Sequence, residues 1–94
     1  MNKSDLVNVV SNTHSIKKKV AEAIVNTICE TITDIVANGD EVRINDFGAF
    51  KARKRPQKNV RNPATGEEMT IPERHIPVFT AFKNFKETVR NSLN

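Results

Sequence analysis

The spacing of apolar residues changes twice along the chain, and each change marks a different element. Leu6, Val7, Val9 and Val10 follow the polar starters Asn2 and Ser4. They predict a short first helix ending near Ser11-Asn12-Thr13-His14, a polar cluster read as a turn. From Lys17 to Asn38, Ala21, Ile24, Val25, Ile28, Ile32, Ile35 and Val36 recur in steps of three and four, the mark of a long amphipathic helix. Gly39 supplies its stop. Ser15 is the N-cap expected of this second helix. Lys17, Lys18 and Lys19 at the positive end of its dipole are unfavourable alone and suggest an external anion.

After Gly39-Asp40 the period falls to two. Val42 and Ile44 alternate with Glu41, Arg43 and Asn45, and Asp46-Phe47-Gly48 turns the chain into a second strand. Phe47 and Phe50 read as core, because aromatic rings are the largest apolar groups available. Lys51 to Arg61 continues strand-like, yet alternation puts Lys51, Arg53, Arg55, Gln57, Asn59 and Arg61 on one face and Ala52, Lys54, Pro56, Lys58 and Val60 on the other. Neither face suits a core. Asn62-Pro63-Ala64-Thr65-Gly66 has turn chemistry, and Glu67 to Val78 returns as a second extended segment. The prediction is a long hairpin, polar on both sides and able to reach about 33 Å, too weak alone in water and suited to lie against another molecule. Folding about Ala64 would set Pro56 opposite Pro72, two residues without an N–H, and interrupt the ladder midway as a bend or an edge irregularity. Thr80 is the expected N-cap of a final helix carrying Phe82, Phe85, Val89 and Leu93.

Composition narrows the class. At 94 residues and 37% hydrophobic content, the chain reads as one domain with a thin core, in need of a staple or a partner subunit. Cys29 is the single thiol and His14 and His75 the only imidazoles, which excludes an internal disulfide and a four-ligand zinc site. Cys29 reads as a small buried hydrophobe, His14 as surface turn and His75 as a plain strand position. No metal or other cofactor is expected. Without an apolar span or a signal-type hydrophobic run, the expectation is a soluble intracellular protein with no membrane partner.

Charge supplies the functional lead. The net charge of +4 is unevenly spread: residues 1–50 carry five basic and seven acidic side chains, residues 51–76 seven and three, and residues 77–94 three and one. Lys51 to Arg61 holds six cations and no anion, a density that repels itself unless a polyanion screens it. Lys51, Arg53, Lys54, Arg55, Lys58 and Arg61 are therefore candidate nucleic-acid contacts, with Arg74 on the returning segment. An enzyme would need a carboxylate cluster or a placed base. Glu30 and Asp34 read as solvated helix surface, and Glu67 and Glu68 point to opposite sides of a strand. Asp46-Phe47-Gly48 matches a kinase magnesium motif in a chain that has none of the other kinase elements. A sheet-augmenting protein module is disfavoured by the same six like charges.

Phe47-Gly48-Ala49-Phe50 followed by Arg61-Asn62-Pro63-Ala64-Thr65-Gly66-Glu67-Glu68, within this order of elements, resembles the HU and integration host factor group of bacterial DNA-bending proteins. The resemblance runs end to end and implies an α+β fold, an intertwined dimer with a helical base, a small antiparallel sheet extended into a β-ribbon arm, and a short C-terminal helix. Residues 1–50 would form the dimerisation body and first strands, 51–77 the arm, and 78–94 the strand end and last helix. HU and integration host factor are themselves type examples of minor-groove architectural binding, so the wedge mechanism comes with the resemblance. Pro63 matches the wedge that intercalates between base pairs, with Arg61 and Asn62 beside it. Arg53, Arg55 and Lys58 match basic arm positions, Phe47, Phe50 and Phe79 the aromatic core of the dimer, and Lys3, Lys83 and Lys86 basic body sites that hold flanking DNA.

The implied function is a nucleoid-associated, cytoplasmic architectural protein that bends and compacts double-stranded DNA with low sequence preference. The alternative is a sequence-preferring bender like integration host factor, reading deformability at the kinks. Bent or nicked DNA and RNA stay open as ligands, as does a homodimer against a heterodimer. The chain departs from the group at Asp46, where Gly is usual, at Ala81-Phe82, where Pro-Gly is usual, at Lys17, where Ser or Thr is common, and at Lys54 and Pro56, often acidic or small residues. Phe82 is expected either to fill extra core or to stay exposed as a contact.

Overall fold

The computed structural model describes all residues, 1–94. Its elements are α1 (Lys3–His14), α2 (Lys18–Ala37), β1 (Val42–Ile44), β2 (Gly48–Arg55), β3 (Lys58–Arg61), β4 (Glu68–Ile71), β5 (Arg74–Ala81) and α3 (Lys83–Leu93). They fall into two compact units, Met1–Ile35 and Val36–Asn94.

In the first unit, α1 starts from a capping box: Asn2 Oδ1 accepts the Asp5 N–H and the Asp5 carboxylate accepts the Asn2 N–H, both at 3.0 Å. The polar cluster Ser11 to His14 is not a turn but the last turn of this helix. Polar side chains tolerate a solvent-facing helical turn, and the helix ends only where the backbone becomes left-handed, at Ser15 (φ 54°, ψ 45°). Ser15 therefore closes α1 instead of capping α2, its N–H donating to the Ser11 carbonyl. The Ser11 hydroxyl adds a bond to the Ile16 carbonyl at 2.6 Å. Lys17 stands at the start of α2, its carbonyl accepting the Ala21 N–H at 3.0 Å, while its ammonium can accept nothing. The helix ends as expected: Gly39 takes φ +85° and donates to the Val36 carbonyl at 3.0 Å.

Periodicity placed the apolar stripe of α2 correctly, but one chain covers little of it. Val7 and Ala21 are buried, whereas Leu6, Val9, Val20, Ile24 and Ile28 are 44 to 53% exposed. Cys29 is exposed too, against the expectation of burial, because the stripe it borders is uncovered.

The second unit is an antiparallel sheet in the order β1-β2-β5 plus the two-stranded β3-β4 ribbon. Phe47 follows the turn at Asp46, Phe50 and Phe79 face each other across β2 and β5, and Phe85 comes from α3. Their rings form one cluster with centroids 4.8 to 6.4 Å apart, within the range of favourable tilted aromatic pairs. Phe47 and Phe79 still stay 40% exposed. Thr80 lies inside β5, and the residue preceding α3 is Phe82, whose side chain caps nothing. The register Ala49↔Thr80 and Gly48↔Ala81 carries the strand through the expected cap and one residue past it. Phe82 takes neither expected position cleanly. It is half-buried, outside the ring cluster, with the Arg43 guanidinium 4.8 Å above its ring.

The proline interruption is present, but its register differs. Arg55 faces Arg74 on one side of the gap and Lys58 faces Ile71 on the other. Pro56 is thus level with Glu73, and Pro72 with Gln57. The hairpin pivots between Ala64 and Thr65 instead of on Ala64, and a one-residue change of partner moves side chains between faces.

Gly48 is where β2 passes under the aromatic cluster. A β-carbon there would collide with the Phe79 ring and the Thr80 carbonyl oxygen. Gly48→Ala is expected to destabilise the fold by about 2 to 3 kcal/mol, the upper range of an overpacked core site. Denaturant midpoints at unchanged m-value check it.

Candidate nucleic-acid interface

The interface candidates lie along one structural device, a strand pair that leaves its sheet and continues as a ribbon. β2 and β5 share the body sheet through Gly48↔Ala81, then carry Lys51, Arg53, Lys54 and Arg55 outward beside His75 and Arg74. Beyond the proline gap, β3 and β4 add Lys58 and Arg61. Lys51 is half-buried at the root, and the other five cations of the run and Arg74 are exposed. Lys54 alone among them is in an ion pair, its Nζ 3.0 Å from Glu73 Oε1, and exposed pairs of this kind contribute at most about 1 kcal/mol. Arg55 and Arg74 are directly opposite each other. Like charges at facing strand positions oppose pairing, so this stretch gains stability when an anion lies between them.

The tip is organised by Asn62. Its Oδ1 accepts the Ala64 N–H at 2.9 Å, its carbonyl accepts the Gly66 N–H at 2.7 Å, and its own N–H donates to the Glu67 carbonyl at 2.8 Å. Gly66 takes φ +74°, a left-handed residue that lets the chain return to β4. Pro63 needs no donor at the first turn position and stands exposed at the outer end.

The expectation of a ribbon polar on both sides is corrected for its distal half. Val60 faces Met69 and Lys58 faces Ile71, which collects Val60, Met69 and Ile71 on one face with Lys58. The opposite face carries Asn59, Arg61, Glu68 and Thr70, with Thr70 Oγ1 and Asn59 Oδ1 3.2 Å apart. The apolar face was invisible because it draws two residues from β4 and one from β3, and only the register joins them.

The body candidates sit on helices. Lys3 opens α1 and lines a shallow depression with Ser4, Val7, Lys18 and Glu22. Lys83 and Lys86 lie on α3, with Arg90 beside them in a second depression and Glu87 3.9 Å from Lys83. Arg90 was missed, although its spacing of four from Lys86 puts it on the same face. Asp46 was seen only as an oddity. It adopts φ +64°, and its Oδ1 accepts a 2.7 Å bond from Asn84 Nδ2, tying the β1–β2 turn to the first turn of α3. No helix is long and apolar enough to cross a membrane.

An antiparallel β1-β2-β5 sheet whose β2 and β5 lead into a cationic, proline-tipped ribbon, preceded in the chain by two helices and followed by a third, defines a small class of proteins. The model of the family described as bacterial DNA-binding protein matches residues 1–90, and the chain belongs to that family. Within it, the DNA-binding protein HU of Nostoc is 43% identical over 89 residues, covering 95% of each chain. That of Geobacillus stearothermophilus is 40% identical over 96% of this chain and 100% of its own. Among solved structures, an Anabaena HU–DNA cocrystal structure superposes with a TM-score of 0.89 at 43% identity, covering 95% of this chain and 97% of its own. HU from Thermotoga maritima superposes at 0.66 with 31% identity, over 95% and 98%.

Because one side-chain bond holds the Ala64 amide, Asn62→Ala is expected to speed its hydrogen exchange about fivefold, the equivalent of roughly 1 kcal/mol. Amide exchange followed by NMR reads this directly.

Proposed function

We propose that the protein is an architectural DNA-binding homodimer that grips duplex DNA with two ribbons, kinks it and shows little sequence preference. The observation that carries this is the ribbon itself: exposed cations, Arg55 opposite Arg74, and Lys54 alone among them in an ion pair. A backbone of phosphates relieves that repulsion and releases counterions. The HU relatives and the HU–DNA cocrystal structure support duplex DNA as the polyanion. Arg53, Lys54, Arg55, Lys58, Arg61 and Arg74 contact phosphate and sugar, Lys51 supports the root, and Asn62 holds the tip. These groups position without reading bases, which accounts for low specificity. Lys3, Lys83 and Lys86, joined by Arg90, hold DNA on the body. The protein acts on the nucleoid, without catalysis.

Dimerisation follows from the uncovered surface. Leu6, Val9, Val20, Ile24, Ile28, Phe47 and Phe79 are too many apolar groups for one soluble domain to leave in water. A second copy covers them, making Phe47, Phe50 and Phe79 core residues of the pair. Light scattering after size exclusion is expected to give about twice 10.6 kDa at micromolar concentration, and a folded monomer there overturns the two-armed reading.

Pro63 is the wedge. Its ring loses no rotamer entropy on insertion, and the turn presents it outward. Unstacking a base step costs a few kcal/mol, roughly what the arms recover along a bent duplex. Pro63→Ala is expected to reduce bending sharply while leaving dimerisation and most salt-dependent affinity in place. Arg55→Ala with Arg61→Ala instead weakens binding to all sequences and flattens the slope of log affinity against log salt by about 0.9 per lost phosphate contact. Energy transfer between dyes on duplex ends measures the first, and titrations across salt the second. Full bending by Pro63→Ala at saturation removes the wedge assignment.

A further inference from the structure

The apolar face of the distal ribbon has no cover within the chain. Val60 and Ile71 are half-buried, and Met69 between them is 50% exposed. The face leads toward Pro63 at the tip and carries one charge, Lys58. The opposite face offers DNA no net charge: Asn59 and Thr70 contact each other at 3.2 Å, and Arg61, its one cation, stands directly across from the Glu68 carboxylate. Of the two faces, the apolar one with its lysine fits a surface of sugar rings edged by phosphates. The minor groove, about 6 Å wide, offers such a surface, since deoxyribose forms its walls.

Resting on the DNA-binding reading above, we propose that the Val60–Met69–Ile71 face seats on the deoxyribose walls of the minor groove, and that Met69 is a peroxide-sensitive contact whose oxidation releases the arm. The Sδ lone pair attacks the outer oxygen of a peroxide and the O–O bond breaks. An S–O bond forms, the remaining oxygen leaves as water or an alcohol with the peroxide proton, and sulfur gives up the two electrons the peroxide takes. The product sulfoxide is polar, which disrupts an apolar contact, and sulfoxide reductases reverse it. Met69 is one of two methionines; the other is Met1, 91% exposed at the terminus.

The experiment oxidises the full-length protein with hydrogen peroxide, quantifies sulfoxide at Met1 and Met69 by peptide mass spectrometry, and measures affinity and bending on one short duplex. Parent protein fully oxidised at Met69 is expected to bind about five- to tenfold more weakly, the effect of losing part of a methionine's burial. Reductases for both sulfoxide epimers should restore it. Met69→Leu should bind like the parent and ignore peroxide, although Met1 and Cys29 remain oxidisable. Met69→Gln should reproduce the loss without oxidant, with an unchanged salt slope, while Thr70→Gln on the opposite face should bind normally. Unchanged binding with complete sulfoxide at Met69, equal loss in Met69→Leu, or a larger effect from Thr70→Gln than from Met69→Gln each overturns the Met69 assignment alone. Failure of the untreated parent to bind duplex DNA overturns the DNA reading and this proposal together.

Discussion

The constraint on which everything else depends is a shortage of interior. The only hydrophobic residues the chain buries are Val7, Ala21 and Ala49, two of them alanines. At about 25 cal/mol per Å² of apolar surface removed from water, so small a buried set cannot offset the conformational entropy of ordering the chain. The long α2 stripe and the phenylalanine cluster are built to be finished from outside. That shifts the unit of stability from the chain to the assembly and leaves the ribbon free of any duty to the core. Its side chains can be chosen for what they meet outside the chain.

Much of this was legible in sequence because it rests on period. The three- and four-residue steps of α2, the alternation at Val42 and Ile44 and the Asn-Pro-x-x-Gly tip each encode a local conformation. What periodicity could not supply was parity. Whether Val60 meets Met69 or a neighbour depends on where the hairpin pivots, and that is set by three hydrogen bonds at Asn62, not by composition. Caps failed for a related reason. Ser15 and Thr80 are good capping residues by chemistry, but one lies where α1 turns left-handed and the other where the β2–β5 ladder continues. The local preference was real, and neighbouring hydrogen bonds overrode it.

Two of the departures from the family pattern find partners within the second unit. A non-glycine residue at φ +64° carries a steric cost, which Asp46 tolerates better than most and offsets with its bond to Asn84. Phe82 adds an aromatic face, and Arg43, held 3.3 Å from Glu41, lies over it. A residue that looks disruptive in isolation is thus held by a neighbour.

The break at Pro56 and Pro72 removes the same number of residues from each strand, two between β2 and β3 and two between β4 and β5. The two ladders therefore stay in phase although no strand pairing joins them. The arm can consequently be lengthened without loss of register only by matched additions. A lone inserted residue on either strand would break the match between the ladders, and one added to each would exchange Val60 and Met69 for Arg61 and Glu68 on a given face, whereas two added to each would lengthen the reach and keep every side chain on its face.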